Sequence, residues 1–323
     1  MFYRILFLLS ISIATIQSAN ILFLLAVPSP SHRLWNNVLI EKLTANGHNL
    51  TVLTVEYEIS QPNVTYIHVE KIYESLNVHH NVWLDFGTKS PFTLITKHYQ
   101  MYNFISKHIF QSNGVRVLAN YPRAFQFHAI IHDCTLAQSL LGFVEHFNNP
   151  PLISVSPLNM PSLSTLSTTH IYPSYMTHYT SDKTHAQLQV NIIDRFLNMM
   201  YHSYDWFYRK YIFMKNENQR ITQLFPHNKQ KLEQMELSEL VLINSDFSFH
   251  DPFPLPPNVI RVGGLQTERT NEIPNDVSTH LTLLKIHKTI LFLSLSIPEC
   301  YHLCCKFLES NHLVHIRKQY SDK

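Results

Sequence analysis

Two side chains in this 323-residue chain stand where catalytic groups are commonly carried. His32 follows an apolar run, Ile21 to Val27, and a Pro28-Ser-Pro-Ser31 loop, at the point where a strand hands over to a helix. An imidazole in that position can take a proton near neutral pH, which is the work of a general base. Asp133 closes another apolar stretch, Phe125 to Asp133, and precedes a helical pattern in the same way. Its carboxylate can accept from the orphan amides of a helix start, or it can orient a base. The remaining reactive residue types are dispersed. The 21 histidines are scattered through loops and strands, and no metal site is expected from them. The cysteines are Cys134, Cys300, Cys304 and Cys305, and adjacent cysteines without a second pair make a poor zinc framework. Neither a GxGxxG, a P-loop nor a GxSxG occurs.

The elements that must position His32 and Asp133 follow from periodicity. Ile21 to Val27 is a continuous apolar run of strand length, the pattern of a strand buried on both faces. Proline in the loop breaks it. From Arg33 the period lengthens, and Leu34, Val38, Leu39 and Leu43 are expected on one helix face with Trp35 beside them. Asn46-Gly47 supplies the stop, and Leu50 to Val55 reads as a second strand. A βαβ unit of this kind predicts a doubly wound parallel α/β domain, whose ligands sit beyond the carboxyl ends of the strands. His32 falls in that crevice. Further strands are expected at Tyr66 to Val69, Phe125 to Asp133, Leu152 to Val155 and Leu240 to Asn244. Helices are expected at Thr135 to Phe147, Leu188 to Lys215 and Leu232 to Glu236. Leu94, His98, Met101 and Ile105 recur at helical spacing. They lie in an aromatic stretch, with Trp83 and Phe86, that caps the sheet or lines an apolar pocket.

The opening stretch resembles the start of the UDP-glycosyltransferase family, the animal UDP-glucuronosyltransferase-like group. The residues that carry the likeness are Pro28 to His32, Gly47-His48 and Thr51-Val52. A second, distant stretch is similar to the same family: LVLINSDFSFHDPFPLPPNVIRVGGL, Leu240 to Leu265, with its Asn-Ser strand end, proline run and Val-Gly-Gly turn. The resemblance implies a GT-B architecture, with a Rossmann-like acceptor-binding domain over residues 20–250, a linker over 251–284 and a nucleotide-sugar-binding domain beginning near 285. It implies transfer of glucose or glucuronate from a UDP-sugar to a hydroxyl of a small lipophilic acceptor, with inversion. His32 is then the base and Asp133 its partner, and Trp83, Phe86 and Met101 are acceptor-pocket residues. No metal and no cofactor beyond the UDP-sugar co-substrate are expected.

The likeness runs from about Asn20 to Ser296. TILFLSLS, from Thr289, resembles the first strand of the donor domain, but Ser296 stands where the family has a glycine against phosphate, and Ile297-Pro298 follows. The family's Trp-x-Pro-Gln and His-Gly-Gly elements and its carboxy-terminal membrane helix are not found before Lys323. A truncated chain is therefore expected, with only a fragment of the second GT-B domain over 285–323 and activity only if the gene product continues. Donor-binding residues stay unassigned. The alternative is a non-enzymatic lumenal module that binds hydrophobic acceptors or associates with full-length partners.

Compartment and composition agree with that class. Residues 1–19 carry Arg4, an apolar core from Ile5 to Ile16 and Ser18-Ala19, the layout of a cleaved secretory signal. An endoplasmic reticulum lumenal or secreted protein is expected, without a membrane anchor. Sequons at Asn49 and Asn63 are compatible with it, Asn63 being preferred because Asn49 borders a strand expected to be buried. A net charge of +2 gives no reason to expect a nucleic-acid partner.

Overall fold

The computed structural model describes residues 18–78, 90–158, 177–178, 180–181, 191–246 and 255–268. Residues 269–323, with the donor-domain strand expected among them, lie outside the described residues. The described residues include seven strands: β1 Asn20–Leu25, β2 Asn49–Thr54, β3 Val64–His68, β4 Ala129–Asp133, β5 Leu152–Ser156, β6 Leu240–Ile243 and β7 Val259–Arg261. All neighbours pair in parallel, in the order β3-β2-β1-β4-β5-β6-β7. This is the doubly wound, Rossmann-like arrangement, and its switch point lies between β1 and β4.

The pleat of β1 explains why its sequence is apolar throughout. Ile21, Phe23 and Leu25 join one core with Trp35 and Ile40 of helix α1, Pro30–Ala45. Leu22 and Leu24 join the opposite core, under helices α2, Ile72–Val78, α3, Pro91–Gln111, and α4, Asn113–Ala119. Successive side chains of a strand point to opposite faces, so a strand covered on both sides shows no alternation. Helix α1 begins with proline at its first turn, where the missing N–H costs nothing, and ends before Gly47 at φ 84°. It starts earlier than the apolar period predicts. The buried face is centred on His32, Trp35, Asn36 and Ile40, while Leu39 and Leu43 pack at its margin and Leu34, expected inside, is 49% exposed.

Three other elements depart from expectation. The helix expected over Thr135 to Phe147 is divided into a 3-10 turn, Gln138–Leu141, and a short helix α5, Gly142–His146. The cause lies upstream, where Thr135 folds back onto Asp133 and Ala137 takes a left-handed conformation, φ 61°. The long helix is α6, Ile192–Tyr208, which passes through a π turn, Arg209–Phe213, into α7, Met214–Leu224. The segment expected as a linker contributes β7, so the sheet runs past residue 250 to a seventh strand. A last short helix, α8, spans Leu232–Met235 as the local pattern predicts.

Polar groups tie the helices across the second core. Glu217 of α7 is fully buried and accepts from Ser106 Oγ at 2.7 Å and from the Ser139 amide at 2.8 Å, and its other oxygen meets Arg220. Helix α4 is held at its start by Glu70, which accepts from the Asn113 amide at 2.6 Å. At Gly114 the backbone runs so close to β3 that a Cβ would lie 2.2 Å from the His68 carbonyl oxygen. Gly114→Ala should therefore displace the helix and lower stability by about 1–3 kcal/mol, the usual cost of overpacking. Urea unfolding of the two proteins, read by far-ultraviolet circular dichroism, measures this directly.

Candidate active site

β1 and β4 are hydrogen-bonded neighbours, with Leu24 opposite His132. Asp133 is the last residue of β4, and His32 sits in the first turn of α1, one loop beyond β1. The strand alternation decides which group faces the helix. Ile131 lies in the core shared with α1, so Asp133, two residues on, points the same way, and His132 points to the opposite side. The result is a contact of 2.8 Å between His32 Nδ1 and Asp133 Oδ2 across 101 residues of chain. His32 is 7% exposed and Asp133 only 1%.

The carboxylate is saturated with donors. Asn36, one helical turn beyond His32, donates from Nδ2 to Oδ2 at 3.3 Å. Thr135 donates to Oδ1 from its hydroxyl at 2.5 Å and from its amide at 3.2 Å. Burial pushes the Asp133 pKa up, but the electrostatic pull of nearby His32 and the hydrogen bonds from His32 and Thr135 outweigh it and hold the carboxyl below its ordinary value. An ionised carboxylate only accepts, so Nδ1 of His32 carries the proton and Nε2 is left as the acceptor. Among the described residues nothing hydrogen-bonds to Nε2, and His32 lines a cleft with Asn36, Leu25, Val27, Val52 and Tyr66. A polarised imidazole beside a cleft, with one nitrogen left as acceptor, can take a proton from a bound hydroxyl.

Asn36 and Thr135 were not among the sequence candidates. The signals for them are local: an asparagine four residues after the histidine on one helix, and a threonine two residues after the aspartate at a strand end. The Oδ1 of Asn36 is buried without a protein partner, so the site offers a second polar atom beside the imidazole.

The other sequence candidates are distributed differently. Trp83 and Phe86 lie outside the described residues. Met101, on α3, is half-buried and packs against the core beneath that helix, and it is not among the residues lining the His32 cleft. Asn63 is exposed, at φ 67° in the turn before β3, and Thr65 of its sequon is exposed too. Asn49 is exposed at the first position of β2, and the strand it borders is buried from Leu50 on, as expected. It is Thr51 of that sequon that is buried. Among the described residues no group of three His, Cys, Asp or Glu is placed to hold a metal ion, and no helix is long and apolar enough to cross a membrane. Cys134 is half-buried, while residues 1–17 and the other cysteines lie outside the described residues.

Fold and site together define a Rossmann-like α/β domain with an imidazole–carboxylate pair at its topological switch point. The chain belongs to the UDP-glucoronosyl and UDP-glucosyl transferase family, whose model matches residues 23–282. A comparison with curated proteins finds no match. Among solved structures, one titled as the glycotransferase of kitacinnamycin is similar over 71% of this chain at 14% identity, with a TM-score of 0.38. This chain spans 46% of the length of that protein.

The buried neighbours of the site make stability depend on pH. His132 is fully buried, and neither ring nitrogen meets a partner of hydrogen-bonding geometry. Burial pushes its pKa down to about 4, against smaller upward pulls from Asp133 and the Ala137 backbone. Between 6.5 and about 4 the unfolded chain therefore binds a proton that the native chain refuses, and stability falls as pH drops through that window. The loss is about 3 kcal/mol. Asp133, depressed, adds stability above the ordinary carboxylate range that is lost only at more acid pH, as it protonates. Urea unfolding at pH 7, 5.5 and 4.5 should show the decline, and His132→Leu should flatten it, with little loss at pH 7 because an unpaired buried polar group is replaced by an apolar one.

Proposed function

We propose that this chain supplies the acceptor-activating half of a UDP-glycosyltransferase. A hexose, glucose or glucuronate, passes from a UDP-sugar to a hydroxyl of a small lipophilic acceptor. Nε2 of His32 takes the hydroxyl proton as the oxygen attacks the anomeric carbon. The C–O bond forms on the face opposite the departing UDP, so the configuration inverts. Asp133 keeps the proton on Nδ1 and stabilises the imidazolium that develops, as the carboxylate does in hydrolase triads. Thr135 and Asn36 hold Asp133, and through it the ring. The observation that carries this reading is the 2.8 Å His32–Asp133 contact at the switch point, in a chain of this family. No metal and no cofactor beyond the donor enter the scheme. A lumenal site, with a glycan on exposed Asn63, fits the leader-like start of the chain.

Transfer from UDP-glucose and UDP-glucuronate to a panel of phenols, followed by mass spectrometry of the product, tests the proposal. His32→Ala should lower the rate by about a hundredfold to ten-thousandfold, the span of general-base catalysis. Asp133→Asn should fall in the same range, because the wrong tautomer is then favoured. A variant with unchanged transfer would remove His32 from the chemistry. Acceptor binding without any transfer by the wild-type chain would leave a binding module in place of an enzyme.

A further inference from the structure

Between helices α3 and α7 lies a cavity of about 370 Å³, within the size range of small-molecule sites. Its walls are two polar stripes at helical spacing. Asn103, Lys107 and Gln111 line it from α3, and Gln219, Arg220 and Gln223 line it from α7. Two packed helices ordinarily close such a seam with interdigitating apolar side chains. Here the apolar contact lies deeper, where Ile105 and Ile109 share a core with Met214 and Ile221. Phe110 is the one apolar residue lining the cavity, and it is itself buried. The cavity shares no residue with the His32 cleft.

The side chains around the cavity divide into those used by the fold and those left open. Arg220 is used: Nη1 meets Glu217, and Nη2 donates to Asn103 Oδ1 at 2.6 Å and to the Asn103 carbonyl at 3.2 Å. Glu217 is fully buried and also accepts from Ser106 and Ser139, so its charge is answered inside the domain. Among the described residues no carboxylate lines the cavity. Lys107, Gln111, Gln219 and Gln223 are exposed, and among the described residues their side chains meet no hydrogen-bond or ion-pair partner. What remains is one unpaired ammonium and three amides. The ammonium, beside a guanidinium and with no acid in reach, draws an anion. Each amide can donate and accept, which matches a hydroxyl that does the same. A lipophilic molecule would leave the amides unpaired, and a cation would meet two positive groups. The chemistry that fits is a small sugar bearing a carboxylate or a phosphate.

We propose that the cavity between α3 and α7 binds an anionic monosaccharide, with Lys107 at its charged group and Gln111, Gln219 and Gln223 at its hydroxyls. The site is independent of the transfer chemistry. The test uses the full chain and ligand-detected saturation-transfer NMR, with glucuronate, glucose-6-phosphate and glucose as probes. At least one of the charged sugars should bind about tenfold more tightly than glucose, because a hydrogen bond to a charged group outweighs a neutral one. Which of the two binds better tells a carboxylate site from a phosphate site. Lys107→Ala should remove most of the preference for charge, and Gln219→Ala/Gln223→Ala should weaken the binding of all three sugars. These changes fall at exposed positions, and thermal melting checks that the fold is kept. His32→Ala should bind as the wild type does. Absence of saturation transfer to both charged sugars would overturn the proposal. So would binding that Lys107→Ala and Gln219→Ala/Gln223→Ala leave unchanged, or binding that His32→Ala abolishes, which would put the sugar at the candidate active site.

Discussion

A carboxylate almost fully withdrawn from water persists as an anion only where enough donors surround it. Asp133 gathers the imidazole of His32, the amide of Asn36 and two donors from Thr135, and the local structure follows from the need to deliver them. β4 must end at Asp133 with the right strand parity, since a shift of one residue would turn the carboxylate to the other face. α1 must begin early enough to put His32 and Asn36 one turn apart on its buried side. The chain after β4 must turn back at Thr135, and the left-handed Ala137 and the broken helix that follows are the consequence. The backbone of that broken segment is in turn held by a buried carboxylate, Glu217, which accepts the Ser139 amide from a helix far along the chain.

Much of this was legible in the sequence where a single physical demand governs. The apolar run of β1 has no alternation because both of its faces are covered. Asn46-Gly47 ends α1 because a residue with positive φ is needed there. The strand-to-helix junctions at His32 and Asp133 were visible, and the parallel order then placed them together. The signal failed where two demands compete. Leu34 looked like part of the buried stripe, yet the face is rotated so that His32 and Asn36 can reach Asp133, and the leucine is left in solvent. The pattern Leu136, Leu140, Phe143, Phe147 reads as one amphipathic helix. All four side chains are indeed buried, but the backbone reaches that arrangement through a 3-10 turn, because its first residues serve the carboxylate. Thr135 and Asn36 carry no motif of their own. β7 is three residues long and follows a proline-rich run, so no periodicity can announce it.

Among the described residues two histidine–aspartate contacts occur, and comparison of them separates chemistry from architecture. His32 uses Nδ1 on Asp133 and lines a cleft, and among the described residues nothing hydrogen-bonds to its Nε2. His178 meets Asp205 with Nε2 and Thr180 Oγ1 with Nδ1, at 2.7 Å, so both of its nitrogens are occupied. Asp205 also holds Tyr99, which stacks on Tyr208 at 5.3 Å and ties α3 to α6. A ring with both nitrogens engaged has no lone pair to offer a substrate and acts as a polar clamp between elements. A base needs one nitrogen fixed and one free.

That clamp has a consequence for the surface. α6 is joined to its domain through Asn198, Asp205 and the following Arg209, and Tyr201, Tyr204 and Tyr208 pack against the core beside them. Its large side chains are then free to face outward without loss of the fold. In a sequence, such a helix resembles an ordinary amphipathic one, since the hydrophobic period is the same. The buried polar residues give it direction: an aspartate, an arginine and an asparagine on one stripe are tolerated inside only when each finds a partner. Here each does.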